Sequence, residues 1–116
     1  MAYGYNGQIL RVNLSKNSVS IEQPDENFYR MYLGGRGLIA YYLLKELEPG
    51  TDPLGLENKL IFATGFVTGT PVAGSGRNSV GAKSPLTEAY GESEAGGFWG
   101  AEFKWTGYQR EKNCTN

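Results

Sequence analysis

Apolar and polar residues alternate over residues 8–14, with Leu10, Val12 and Leu14 on one side and Arg11 and Asn13 on the other. Ser15-Lys16-Asn17-Ser18 is turn chemistry, and Val19 and Ile21 then alternate with Ser18, Ser20 and Glu22. A period of two on both sides of a polar turn predicts a β-hairpin over residues 8–22. Pro24-Asp25-Glu26 suits a helix N-terminus, and Phe28, Met31 and Tyr32 follow at helical spacing, so a short helix is expected over residues 25–33, stopped by Gly34-Gly35. Leu38, Tyr41, Tyr42, Leu44 and Leu47 give a second helix, over residues 38–47, a wide apolar face that ends at Pro49-Gly50. Tyr41 and Tyr42 read as core residues rather than catalysts.

Beyond a loop at residues 50–58, the run Lys59-Leu-Ile-Phe-Ala-Thr64 predicts a buried strand. Residues 65–76 are extended and glycine-rich, residues 78–83 suit a short strand, residues 84–97 look irregular, and residues 98–105 suit a helix. No repeat or interdomain linker interrupts the series, so the chain reads as one α+β domain.

Composition narrows the chemistry. The 116 residues contain no histidine and a single cysteine, Cys114. That excludes a His-activated nucleophile, an intrachain disulfide and a Cys/His zinc site, and it leaves hard chemistry to a cofactor. Ser84 and Ser93 therefore have no histidine base. A net charge of −1 with scattered Lys and Arg gives no basic face for nucleic acid. The first residues lack a signal-peptide pattern, and no apolar run reaches the roughly 18 residues of a membrane span. A cytoplasmic location is the expectation.

Glycine is the outlier: 17 of 116 residues, ten of them within residues 65–107. Such density marks tight turns between short strands, or bare backbone that lies close to a ligand. In the second case the N–H groups and hydroxyls of this half could cradle a phosphate, with Arg77 as a bidentate donor and Gly96-Gly97 at a helix start. Gly34-Gly35-Arg36-Gly37 also precedes a helix. It lacks the Gly-Lys-Ser/Thr of a P-loop and the preceding strand of a dinucleotide fingerprint, and a helix–helix corner with a local bond from Arg36 is the simpler reading. Glu88, Glu92 and Glu94 fall in one stretch, read as a solvated loop in preference to a paired-carboxylate acid/base site.

The order of the segments carries a resemblance. Gly7-Gln-Ile-Leu-Arg-Val-Asn-Leu14, Tyr32-Leu-Gly-Gly-Arg-Gly-Leu38, Asp52-Pro-Leu-Gly-Leu-Glu-Asn-Lys-Leu-Ile-Phe-Ala63, Thr68-Gly-Thr-Pro71, Gly74-Ser-Gly-Arg77, Lys83-Ser-Pro-Leu-Thr87 and Gly96-Gly-Phe-Trp-Gly-Ala-Glu-Phe-Lys104, ending at Gly107-Tyr108, run in sequence. The chain resembles the N-terminal domain of the tungsten-dependent aldehyde ferredoxin oxidoreductase family. The resemblance implies a β-sheet-rich domain over residues 1–108 with two or three short helices. Such a domain forms the base for tungsten held by two pterins (tungstopterin), whose phosphates are bridged by a magnesium ion. The family's phosphate-contacting arginine falls on Arg77 and its pterin-contacting glycine on Gly96, beside Gly97. Glu94 takes the place of a residue, often Asn, that offers an oxygen near the magnesium, and Ser93 and Ala95 flank it. No catalytic residue falls in this stretch.

The implied activity is oxidation of a small-molecule aldehyde to a carboxylate in anaerobic metabolism. Electrons pass through a [4Fe–4S] iron–sulfur cluster to ferredoxin or another electron-transfer subunit, and a homo-oligomer is possible within the family. A hydroxy acid or an aromatic acyl thioester is an alternative substrate. The cluster cysteines and acid/base residues of the family lie in later domains, so the resemblance implies the opening, truncated piece of a larger enzyme, inactive alone. After Tyr108 the family continues with an acid and an apolar strand, whereas Gln109-Arg-Glu-Lys-Asn-Cys-Thr-Asn116 is polar, so residues 109–116 are expected to be a disordered tail. Outside the family, the glycine-rich half suits a non-enzymatic module for a phosphorylated ligand, or a structural remnant with no ligand.

Overall fold

The computed structural model describes residues 4–108 and the strand at 110–114. In chain order the elements are β1 (Ile9–Asn13), β2 (Ser18–Glu22), α1 (Glu26–Tyr32), α2 (Gly35–Glu46), β3 (Lys59–Thr64), β4 (Asn78–Lys83), β5 (Tyr90–Ala95), α3 (Trp99–Trp105) and β6 (Arg110–Cys114). The strands form one sheet in the order β2-β1-β6-β3-β4-β5. All neighbours are antiparallel except β1 and β6, which are parallel. This is the expected α+β, sheet-rich class with three short helices.

The hairpin forms as its pattern predicts, with Val12 opposite Val19 and Asn17 adopting the left-handed conformation (φ 48°) that asparagine tolerates in a turn. The face that enters the core differs from the one the alternation suggests. Ile9 is fully buried in the cluster with Ile39, Tyr42, Leu43, Ile61 and Ala63 beneath α2. Arg11, two residues on, lies on the same face and ties the hairpin to the end of α2 through Glu22 (2.7 Å) and Glu46 (2.8 Å). Leu10 and Val12 take the opposite face, and Leu14 is exposed.

Helix α1 is capped by Asp25, whose carboxylate accepts from the Phe28 N–H at 2.9 Å. It ends one residue before the glycines: Leu33 itself turns left-handed (φ 58°) and its N–H bonds Tyr29 O at 2.8 Å. Helix α2 consequently starts at Gly35 rather than Leu38, which puts Arg36 in its first turn. Phe28 and Tyr32 pack on Tyr41 with ring centroids 5.0 and 4.4 Å apart, and Tyr42 is buried.

Two segments depart from their sequence reading. Residues 90–95, expected to be irregular, form β5, because pairing with β4 from Asn78↔Ala95 to Lys83↔Tyr90 overrides a Gly/Glu/Ser composition that does not favour strands. Within the tail expected to be disordered, Arg110–Cys114 form β6, whose backbone fills the gap between β1 and β3. A backbone ladder asks no apolar pattern of the strand that completes it. Gln109, Thr115 and Asn116 lie outside the described residues.

Glycines set the distance between helix and sheet. A Cβ on Gly81 of β4 would stand 2.5 Å from the Ile39 side chain of α2. Gly34 (φ 102°) bridges Gly65, and a Cβ there would stand 2.8 Å from the Thr64 carbonyl oxygen. Gly34→Ala combines the left-handed strain of about 1–2 kcal/mol with a backbone clash. We expect it to lower the unfolding free energy by at least that much, read as a lower urea midpoint with an unchanged unfolding slope.

Candidate functional site

The register of β4 and β5 decides which side chains meet at the sheet edge. Ser79 pairs with Glu94, and Gly35 at the start of α2 lies over Ser79, 3.8 Å from its hydroxyl to a Gly35 Cβ position. Arg36 therefore projects over β5, where Tyr90, Glu92 and Glu94 alternate onto one face. Its Nε lies 3.1 Å from Glu92 Oε1 and its Nη2 donates to Glu94 Oε1 at 2.7 Å. Arg77, one residue before β4, donates from Nη1 to the other Glu94 oxygen at 3.2 Å. One carboxylate thus holds two guanidiniums from different elements. Glu92 is the sheltered partner, with its side chain 14% exposed, and it accepts from the Tyr90 hydroxyl at 2.7 Å. Both arginine side chains face solvent, at 68% and 75% exposure.

The charges follow the geometry. The hydrogen bonds from Arg36 and Arg77 hold the Glu94 carboxyl below its ordinary range, and the bond to Glu94 raises the Arg36 guanidinium. Partial burial, then the bond to Glu92, pushes the Tyr90 hydroxyl up.

Beside it lies open backbone. Among the described residues, no atom beyond the adjoining residues comes within 4 Å of a Cβ position on Gly96 or Gly97, and Gly97 has φ 114°. The Arg77 loop abuts this stretch: a Gly76 Cβ would stand 3.0 Å from Gly97 O. The sequence-derived set Arg77, Glu94, Gly96 and Gly97 is therefore one neighbourhood. Ser93 and Ala95 alternate onto the other face of β5. Ser93 pairs with Val80 and lines a shallow surface there with Leu60 and Gly91. Glu88 is not in the cluster: it sits in the turn before β5 with φ 56°. Glu92 and Glu94 are strand residues bridged by arginine rather than loop acids.

Four contributors were not legible in the sequence. Arg36 bonds across 58 positions, not locally. Thr68 is buried; its hydroxyl accepts from the Gly65 N–H at 3.0 Å and donates to Arg77 O at 3.1 Å, fixing the backbone that carries Arg77. Lys104 of α3 is buried, and its ammonium donates to Gly65 O and Phe66 O at 2.8 and 2.6 Å. Trp105 adds a bond to Gly69 O at 3.0 Å, so α3 clamps the glycine-rich loop from the side opposite α2. The hydroxyl and ammonium have no periodicity to betray them.

Among the described residues, no group of three or more acidic, cysteine or histidine side chains could hold a metal ion, and no helix is long and apolar enough to cross a membrane. A cation beside Glu94 would need oxygens from its own ligand as well.

These features define an α+β sheet domain with an arginine–carboxylate cluster and bare glycine backbone at one edge. Residues 9–110 match the family model "Aldehyde ferredoxin oxidoreductase, N-terminal domain", and the chain belongs to that family. It is 48% identical over 106 residues to the tungsten-containing aldehyde ferredoxin oxidoreductase of Pyrococcus furiosus, a match covering 91% of this chain and 18% of that protein. The corresponding Pyrococcus horikoshii protein is 49% identical with the same coverage. The aliphatic sulfonate oxidoreductase WOR-like subunit of P. furiosus is 37% identical over 109 residues, covering 91% of this chain and 17% of that one. Among solved structures, the active-site complex BamBC of benzoyl coenzyme A reductase, in complex with 1,5-dienoyl-CoA, superposes with a TM-score of 0.95 at 37% identity, over 100% of this chain and 18% of that chain. The chain thus spans under a fifth of the length of these oxidoreductase relatives.

The Lys104 ammonium is lowered by burial to about 8 from an ordinary 10.5. Between those values the unfolded chain binds more protons than the folded one, so this residue's contribution to stability increases as pH rises through that window and is lost as pH falls back to 8. The melting temperature of the wild type, relative to that of Lys104→Met, is expected to climb from pH 8 to pH 10.5.

Proposed function

We propose that this chain forms one wall of a tungstopterin site in an oxidoreductase that converts aldehydes to carboxylates. The observation that carries the reading is the Arg77–Glu94 pair set beside Gly96 and Gly97, whose Cβ positions face open space. A flat, phosphate-bearing cofactor needs both: donors fixed in place for the phosphates, and backbone without side chains for the ring system. The residues present fit that group.

Arg77 supplies the fork-shaped donor to a phosphate, held in position by the Thr68 bond to its own carbonyl. Gly96 and Gly97 supply the surface on which a pterin lies, while Ser93 and Ala95, just before them in the chain, take the other face of β5. Glu94 would be the residue of this chain to offer carboxylate oxygens to a magnesium ion accompanying the phosphates. When bound, the tungsten–pterin group supplies the two-electron chemistry: the aldehyde gains an oxygen from water and gives up two electrons and two protons. This chain's residues bind, orient and exclude; they transfer no proton. The [4Fe–4S] cluster, the route to ferredoxin and the acid/base groups belong to the longer protein typified by the relatives. An aromatic acyl thioester is a second substrate class, favoured by the benzoyl coenzyme A reductase likeness; the higher identity to the aldehyde enzymes supports the first.

Metal analysis and the fluorescence of oxidised pterin test the reading on the intact protein. Tungsten and pterin are expected in the wild type, and Arg77→Ala is expected to lose retention by an order of magnitude or more, the size of a charge-assisted bond of about 1.5–3 kcal/mol. An intact protein purified from tungsten-replete cells without either would overturn it. The 116-residue chain alone is expected to show no aldehyde-dependent viologen reduction.

A further inference from the structure

Among the described residues, Arg36 is a strongly placed cation at this edge with no role in the reading above. Its guanidinium is divided: Nε faces Glu92 at 3.1 Å while Nη2 faces Glu94 at 2.7 Å. Glu92 is sheltered and further held by Tyr90, so the Nε side is an anchor. Glu94 is more exposed, and its two oxygens are shared between Arg36 and Arg77. Removal of the Glu94 carboxylate would leave two guanidinium donors aimed at one point, one from α2 and one from the β4 approach, with the unobstructed Gly96-Gly97 backbone alongside.

We propose that Arg36 is a second phosphate-binding arginine, and that Glu94 is an internal stand-in that occupies the two-arginine site until a phosphate group displaces it. This deepens the tungstopterin reading and rests on it for the identity of the phosphate. The chemistry is a like-for-like exchange. A phosphate presents three acceptor oxygens and up to two negative charges where the carboxylate presents two oxygens and one charge. The Glu92 anchor keeps Arg36 in place during the exchange. Once displaced, the Glu94 carboxylate would be available to a divalent cation that accompanies the phosphates. An amide here would hold neither arginine by charge, so the carboxylate makes the site self-occupied.

The test is calorimetric titration of the full chain with inorganic pyrophosphate at low ionic strength with chelator present. Glu94→Gln is expected to bind on the order of tenfold more tightly than wild type, since the competing carboxylate is gone. In the Glu94→Gln background, Arg36→Gln and Arg77→Gln are each expected to reverse that gain or more, and Arg36→Lys, which keeps the charge but not the fork, to reverse part of it. Circular dichroism melts identify any variant that fails to fold, and Arg36→Lys then carries the comparison. Equal affinity of Glu94→Gln and Glu94→Gln/Arg36→Gln would overturn the role of Arg36. A Glu94→Gln affinity no higher than wild type would overturn the stand-in, and no binding by any folded variant would overturn both. Pyrophosphate binding in this pattern with no tungsten or pterin in the intact protein would instead sink the cofactor reading and leave the two-arginine site standing. Tungstopterin retained by the intact protein with Arg36→Gln indifferent to pyrophosphate would do the reverse.

Discussion

The close approach of α2 to the sheet governs the rest of this structure. It depends on missing side chains: Gly81 under Ile39, Gly34 against the Thr64 carbonyl and Gly37 against the end of α1. With those gaps closed, Ile39, Tyr42 and Leu43 seal the core over Ile9, Ile61 and Ala63. The first turn of the same helix then overhangs β5. A lift of a few ångströms would leave the core wet and carry Arg36 out of reach of Glu92 and Glu94. Packing and electrostatics at the edge are therefore a single constraint, imposed by backbone that cannot move without exposing apolar surface.

The second helix contact works in the opposite direction. Where α2 meets the sheet through apolar side chains, α3 meets the glycine-rich loop through polar bonds to carbonyls, from the Lys104 ammonium and the Trp105 indole. A buried ammonium without a carboxylate is an expensive way to fix a loop. It is also a specific one, because two carbonyl dipoles must both point at the nitrogen. The loop that carries Arg77 is thereby held from α3, from Thr68 and from β4, a three-sided support of the kind a preformed ligand site requires.

Much of this was readable in the sequence where periodicity reports on burial. The hairpin, α1, α2 and the strands at 59–64 and 78–83 follow from their spacing, and the glycine excess in residues 65–107 marks the stretch that carries Arg77, Glu94 and the open Gly96-Gly97 backbone. Reading failed where tertiary pairing decides. Tyr90–Ala95 is a strand because β4 supplies its partner, and Arg110–Cys114 is a strand because β1 and β3 leave a vacancy. At the edge, the ordered segments gave Arg77, Glu94, Gly96 and Gly97, but an ion pair between positions 36 and 94 has no local signature. The unexpected start of α2 at Gly35 is what aims that pair, and a helix boundary set by a left-handed Leu33 is not something a propensity can locate.

The position of β6 has a consequence for how the chain comes together in time. The β1–β2 hairpin is available early in synthesis, and β3, β4 and β5 can form a meander from local pairings. Their mutual seam is not closed by either. It is filled by the backbone of residues 110–114, parallel to β1 on one side and antiparallel to β3 on the other. A nascent chain that has already made most of its sheet therefore carries two open, inward-facing edges until this segment leaves the ribosome, and those edges are what a chaperone, or a neighbouring nascent chain, would find first.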